Sequence, residues 1–148
     1  MISFFIPTCN GEKYLARTLE SVLAQTYGDF EVICVDDLST DSTYDILKSL
    51  AQKDSRVHIF RKSHDGDVPH SWQYAFPLFR GEYVFYMSQD DMLASDALEK
   101  MIMRQKETKA DAVLPCVIRT GRIRTRLCRG NGIFGIMFAN PIFEPYYQ

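Results

Sequence analysis

The sequence has no CxxC pair, no apolar run of membrane length and almost no net charge, and each lack removes a class of protein. Its four cysteines, Cys9, Cys34, Cys116 and Cys128, stand far apart, which argues against a zinc ribbon or a thioredoxin motif. Neither the short apolar opening nor Gly132 to Ala139 approaches the roughly 20 apolar residues of a membrane span, and no basic segment precedes a signal-type core. A reduced, cytoplasmic protein is expected. With 17 Lys and Arg against 19 Asp and Glu, the formal charge is −2, so there is no global basic field and no nucleic-acid partner is expected. GxGxxG does not follow the first apolar run, and no P-loop pattern occurs, so the signatures of hydride transfer and of P-loop phosphate binding are missing.

What is present fits one globular unit. A chain of 148 residues, 46 % hydrophobic and 24 % charged, has the size and composition of an ordinary domain and can hold a core without disulfides or metal. Ile2 to Pro7 reads as a buried strand followed by the turn residues Thr8-Cys9-Asn10-Gly11. Tyr14, Leu15, Thr18, Leu19, Val22 and Leu23 then recur at helical spacing over Glu12 to Gln25, with Asn10 or Gly11 near the N-cap. Phe30 to Val35 reads as a second buried strand that stops at Asp36-Asp37. Ile46, Leu47, Leu50 and Ala51 mark a helix and Val57 to Phe60 a strand, and Trp72, Ala75, Phe76 and Phe79 mark a helix bent at Pro77 and closed by Gly81. Tyr83 to Met87 is a fourth strand running into Ser88-Gln89-Asp90-Asp91; a helix through Leu98, Met101, Ile102 and Gln105 and a strand at Ala112 to Ile118 follow.

Strands alternating with helices over short connections predict an α/β fold, a doubly wound, mostly parallel sheet with helices on both faces. Ligands of such sheets sit beyond the carboxyl ends of the strands, where strand order reverses. The polar residues capable of chemistry fall there: Thr8 to Asn10, Asp36 and Asp37, and Ser88 to Asp91. Two acidic pairs brought to one edge would repel unless a cation or hydrogen-bond donors intervened, and oxygen-only ligation suits Mg2+ or Mn2+. Neighbouring residues of an extended chain point opposite ways, so Asp90 and Asp91 would divide the work. Strand-end aspartates also serve as caps and turn formers, and both readings stay open on the residues alone. An acid after the second strand is where nucleotide-binding sheets often hold ribose or base, which makes Asp37 a candidate nucleotide contact.

The stretches ISFFIPTCNGEKYLARTLESVLAQTYGDFEVICVDDLSTDST and GEYVFYMSQDDML resemble the donor half of family-two inverting glycosyltransferases of the GT-A fold, over about residues 2 to 118. The resemblance implies a nucleotide-diphospho-sugar donor, a UDP-sugar foremost, contacted at base and ribose by Pro7, Thr8, Cys9, Asn10 and Asp37. It implies that Asp90 binds ribose or sugar and that Asp91 holds Mn2+ or Mg2+ on the diphosphate, where the ion acts as a Lewis acid. The acceptor would be a saccharide or lipid-linked. Trp72-Gln73 stands where many members carry Arg-Asn, and Ser88-Gln89 replaces the commoner first Asp of a DxDD pattern.

Residues 1–118 are thus expected to form the donor-binding domain and 119–148 the start of an acceptor region. Asn140-Pro141-Ile142 resembles the segment that precedes a Glu-Asp pair supplying the general base in members of the family, and the sequence holds no such pair after it. The catalytic base is therefore unassigned. The expectation is a truncated piece that binds donor without transferring sugar well, whose alternative role is that of a nucleotide-sugar-binding or interaction module. Arg119, Arg122, Arg124, Arg126 and Arg129 suggest a solvated face or contact with anionic lipid at the inner membrane surface. The aromatic tail suggests pairing with a second copy of the chain as a homodimer. His58, His64 and His70 lack metal-ligand spacing and read as surface residues, and Trp72, Phe76 and Phe79 read as core. A signalling receiver domain shares the sheet and the Asp pair, but needs a Lys after the fifth strand that nothing beyond Ile118 supplies.

Overall fold

The computed structural model describes residues 1–63 and 68–113, together with the backbone of residues 136–139. The elements run β1 (Ile2–Thr8), α1 (Leu15–Leu23), β2 (Phe30–Asp36), α2 (Thr43–Lys53), β3 (Val57–Arg61), α3 (Val68–Ala75), β4 (Tyr83–Tyr86), α4 (Ala97–Thr108), β5 (Ala112–Val113) and β6 (Ile136–Ala139). A single 3-10 turn at Phe76–Leu78 follows α3, with Pro77 in its first positions, so the expected bend at Pro77 is the point where the α-helix stops.

The sheet has the order β3-β2-β1-β4-β6-β5. Its first four strands are parallel, with Ile2 to Thr8 registered on Phe30 to Asp36 and Ile2 to Phe5 on Tyr83 to Tyr86. β6 runs antiparallel between β4 and β5. This strand was not expected as a separate element; it joins the same sheet as the amino-terminal strands. Of the strand expected at Ala112 to Ile118, Ala112–Val113 is described and the rest lies outside the described residues.

Alternation along β1 divides the core between two faces. Ile2, Phe4 and Ile6 pack with Leu15, Leu19 and Val22 of α1, Leu47 of α2 and Leu98, Met101 and Ile102 of α4. Phe5 points the other way, to Ile33, Val35, Ala75, Phe79 and Val84, with Trp72 against that cluster. Each fully buried Phe, Leu or Ile contributes about 1.5–3 kcal/mol of transfer free energy. In α1 the buried residues Leu15, Thr18, Leu19 and Val22 follow the helical stripe. The cap differs from expectation: Tyr14 occupies the N-cap position without a side-chain bond, because Asn10 sits at φ 47° and turns its side chain to Thr40. Gly81 is fixed by close approach, since a Cβ there would lie 2.5 Å from the Ser3 nitrogen, and its N–H donates to Ser3 Oγ at 2.8 Å.

Candidate functional site

Strand order reverses at β1, whose neighbours are β2 on one side and β4 on the other. The crevice lies beyond their carboxyl ends. Pairing of β1 with β4 ends at Phe5 and Tyr86, with Met87 N–H still donating to Phe5 O at 3.0 Å, whereas pairing with β2 continues to Thr8 and Asp36. Alternate backbone groups of a strand face the same neighbour. Phe5, Pro7 and Cys9 therefore face the β4 side, and Pro7, which has no N–H, occupies the position where β4 has already turned away.

The two acidic pairs behave differently. Asp36, wholly buried, accepts from Ser39 N–H at 3.2 Å and from Ser39 Oγ, and is ion-paired with Arg61 Nε at 3.0 Å. Asp37 is buried as well and meets Lys62 Nζ at 2.8 Å, while its N–H donates to Thr8 O at 2.8 Å. Of the two ways to relieve the expected repulsion, a cation or hydrogen-bond donors, this pair takes the second: the residues ending β3 neutralise those ending β2. The register places Asp36 opposite Arg61, so the acidic doublet and the basic doublet leave neighbouring strands side by side. Sequence reasoning missed Arg61 and Lys62, although their position after the third apolar run was a signal.

Among the described residues the pair after β4 has no such partners. Asp90 is exposed and accepts from Ser88 Oγ at 2.5 Å. Asp91 is half-buried, its N–H donates to Ser88 O at 3.4 Å, and its Oδ2 is a buried side-chain oxygen with no hydrogen-bond partner, alone in that among the described residues. Burial, and then the neighbouring Asp90 charge, push the Asp91 carboxyl above its usual range. Burial and the same two carboxylates also raise the Tyr86 phenol. Tyr86 stacks on Trp72 with ring centroids 5.4 Å apart, which leaves Trp72 in the packing, as its helical spacing implied.

The loop after β1 is held from three sides. Asn10 N–H donates to Ser39 Oγ at 3.0 Å and its Oδ1 accepts from Thr40 N–H at 2.9 Å. Gly11 N–H donates to Thr43 Oγ1 at 2.7 Å, and Thr8 Oγ1 donates to Val35 O at 3.3 Å. Cys9 N–H donates to Gln89 Oε1 at 3.0 Å, while Gln89 Nε2 donates to Cys9 O at 2.9 Å. Burial, helped by Asp37, raises the Cys9 thiol, which keeps it protonated at neutral pH. Asn10 and Leu38 both adopt positive φ, 47° and 50°, and Leu38 is exposed.

The structure thus gathers Pro7, Thr8, Cys9, Asn10 and Asp37 along one rim and places Asp90 and Asp91 on the facing loop. Beside Lys62 an open depression of about 670 Å³ is lined by Arg61, Lys62, Ser63, His70, Gln73 and Tyr74. His58 lies elsewhere, against Arg80 and the buried Glu31. His64, the arginine run from Arg119 to Arg129, Cys116 and Cys128 lie outside the described residues.

A family model described as Glycosyl transferase family 2 matches residues 3–143. The chain belongs to glycosyl transferase family 2. It is 31 % identical over 114 residues to glycosyltransferase GlyG of Streptococcus pneumoniae, covering 77 % of this chain and 38 % of GlyG. It is 34 % identical over 116 residues to the poly(ribitol-phosphate) beta-glucosyltransferase of Bacillus spizizenii, covering 76 % of this chain and 18 % of that enzyme. The chain thus spans well under half the length of these relatives. Its fold matches S. aureus TarS, solved with UDP-GlcNAc, with a TM-score of 0.83 at 22 % identity over 97 % of this chain and 46 % of that one. It also matches a Pyrobaculum calidifontis mannosyltransferase, solved with GDP-Man and Mn2+, with a TM-score of 0.70 at 24 % identity over 80 % of this chain and 35 % of that one. The α/β, mostly parallel architecture expected from the sequence is the GT-A fold of these glycosyltransferases.

Proposed function

We propose that residues 1–118 form the donor site of an inverting glycosyltransferase that takes a nucleotide-diphospho-sugar, a UDP-sugar foremost, and that residues 119–148 begin the acceptor region. The rim Pro7–Asn10 together with Asp37 receives base and ribose, and Asp90 receives ribose or sugar. The acceptor is a saccharide or a lipid-linked glycan at the cytoplasmic membrane surface. The acceptor hydroxyl displaces the diphosphate at the anomeric carbon, forming one C–O bond as the other breaks, and gives its proton to a base not yet assigned. The nucleotide in the solved structure of TarS and the polymer named for the B. spizizenii relative support this reading.

The observation that carries it is the unpartnered Asp91 Oδ2 at the reversal of strand order. A diphosphate brought beside an uncompensated carboxylate is repelled unless a divalent cation stands between them. The donor set fits Mn2+ or Mg2+. Among the described residues no three His, Cys, Asp or Glu side chains converge, and these ions typically take one or two carboxylates and leave their other positions to water and phosphate oxygens. Asp91 would hold the ion, which when bound stabilises the charge developing on the departing diphosphate. Asp37, already neutralised by Lys62, suits a hydrogen bond to base or ribose without adding net charge.

Thermal unfolding with UDP, GDP, ADP and CDP, each with and without Mn2+, tests the reading. UDP with Mn2+ should raise the melting temperature most; at one hundred times the dissociation constant the stabilisation is about 2.7 kcal/mol. No shift with any nucleotide sinks it.

A further inference from the structure

We propose that Gln89 is a positioning residue of the donor site: its side-chain amide forms one extra rung of sheet that ties the loop after β1 to the loop after β4, so that the nucleotide rim and the Asp90-Asp91 loop are set as one unit. The proposal rests on the donor-site reading above and adds to it the residue that registers the two halves.

The backbone leaves a gap that this side chain fills. Along the β4 side of β1 the last ladder bond is Met87 N–H to Phe5 O, Pro7 brings no N–H, and the next residue facing that way is Cys9. Its N–H and its carbonyl would both lack a strand partner. The Gln89 amide supplies an acceptor to the first at 3.0 Å and a donor to the second at 2.9 Å, the pair of bonds a neighbouring peptide group would make. These needs also fix which amide atom is oxygen and which nitrogen. Thr18 Oγ1 donates to Gln89 O at 2.8 Å, which anchors the backbone of Gln89 to α1. Gly11 leaves room for the side chain, because a Cβ there would lie 2.6 Å from Gln89 Cδ and closer still to Oε1. Thr8-Cys9-Asn10 on one end of the rung and Asp90-Asp91 on the other are the two halves of the proposed site, separated by some eighty positions in the chain.

Only an uncharged amide of this length offers both functions. An ionised Glu keeps the length and the acceptor but turns a second oxygen toward the Cys9 carbonyl. Gln89→Glu therefore tests the hydrogen bonding with packing held constant, and Gly11→Ala, whose methyl would press on the Gln89 amide, tests the same rung from its other side with Gln89 itself unsubstituted. Two readouts are taken at neutral pH: hydrogen-exchange protection of the Cys9 amide in the nucleotide-free protein, and calorimetric affinity for UDP with and without Mn2+. In both variants Cys9 protection should fall about tenfold or more and UDP affinity about fivefold or more with the metal present, the scale of one or two lost hydrogen bonds. Urea unfolding confirms that each variant folds, and Gln89→Ala replaces any that does not. Undiminished UDP binding in folded Gln89→Glu overturns the positioning role and leaves the donor site standing, whatever happens to stability. Failure of the unsubstituted protein to bind UDP overturns the donor reading and this role together.

Discussion

Lys62 Nζ and Asp37 Oδ1 are 2.8 Å apart, with both side chains less than a tenth exposed, at the carboxyl ends of adjacent parallel strands. Removing one member of such a pair leaves the other charged and buried, which costs about 3–5 kcal/mol. Lys62→Met should therefore destabilise by about that amount in urea unfolding, and Asp37→Asn added to Lys62→Met should recover a substantial part of it. If the single and double variants are equally unstable, the pair does not act as a pair.

Asp91→Asn separates ion binding from folding. It removes a carboxylate whose protonated form the folded protein favours, so the variant should equal or exceed the unsubstituted protein in stability at neutral pH. Metal-dependent UDP affinity should fall about tenfold, or 1.4 kcal/mol. The pH dependence has a definite sign. Because burial and Asp90 raise this carboxyl when folded, its contribution to stability is full below the ordinary aspartate range and declines as pH rises through the folded value. Asp91→Asn should abolish that decline, and an unchanged pH profile would contradict the assignment.

Glu31 should behave in the opposite way. Its burial raises the carboxyl, but hydrogen bonds from Ser3 and Arg80 outweigh that and hold it below its usual value. Stability from Glu31 is thus present above the ordinary glutamate range and lost as pH falls through the depressed folded value. Glu31→Gln should cost about 2 kcal/mol at neutral pH, the scale of hydrogen bonds to a charged group, and the loss should shrink in acid. Equal losses at neutral and acid pH would refute the linkage.

Gly81→Ala tests a contact between backbones. The added methyl would meet the Ser3 nitrogen at 2.5 Å and the Ile2 carbonyl carbon at 2.8 Å, neither of which can swing aside. A loss of about 1–3 kcal/mol is expected in urea unfolding. A neutral result would mean that the turn before β4 can slide along β1.

The sheet was legible because buried parallel strands read as continuous apolar runs, and β1, β2 and β4 do. The stripe of α1 was equally plain, since Leu15, Thr18, Leu19 and Val22 obey one period. The start of α1 was not: Asn10 has the side chain of a cap, but spends its oxygen on Thr40, thirty positions away. The same limit hid the partners of Asp36 and Asp37, which depend on the register of β2 with β3, and the place of β6, which depends on an antiparallel pairing with β4. Gln89 stood out in the sequence as a departure from a pattern; its bonds to Cys9 needed coordinates.

Pro7 has a consequence for assembly. Beyond Phe5 no strand among the described residues pairs with the β4 side of β1, and only the Gln89 side chain bonds there, at Cys9, so the position between them is the kind of edge that invites an extended segment to add itself by main-chain pairing. An intruding strand would need a donor at position 7 and would find a pyrrolidine ring instead. The missing donor at position 7 thus counts against closure of this gap by main-chain pairing, whether with the chain's own strands or with a foreign one.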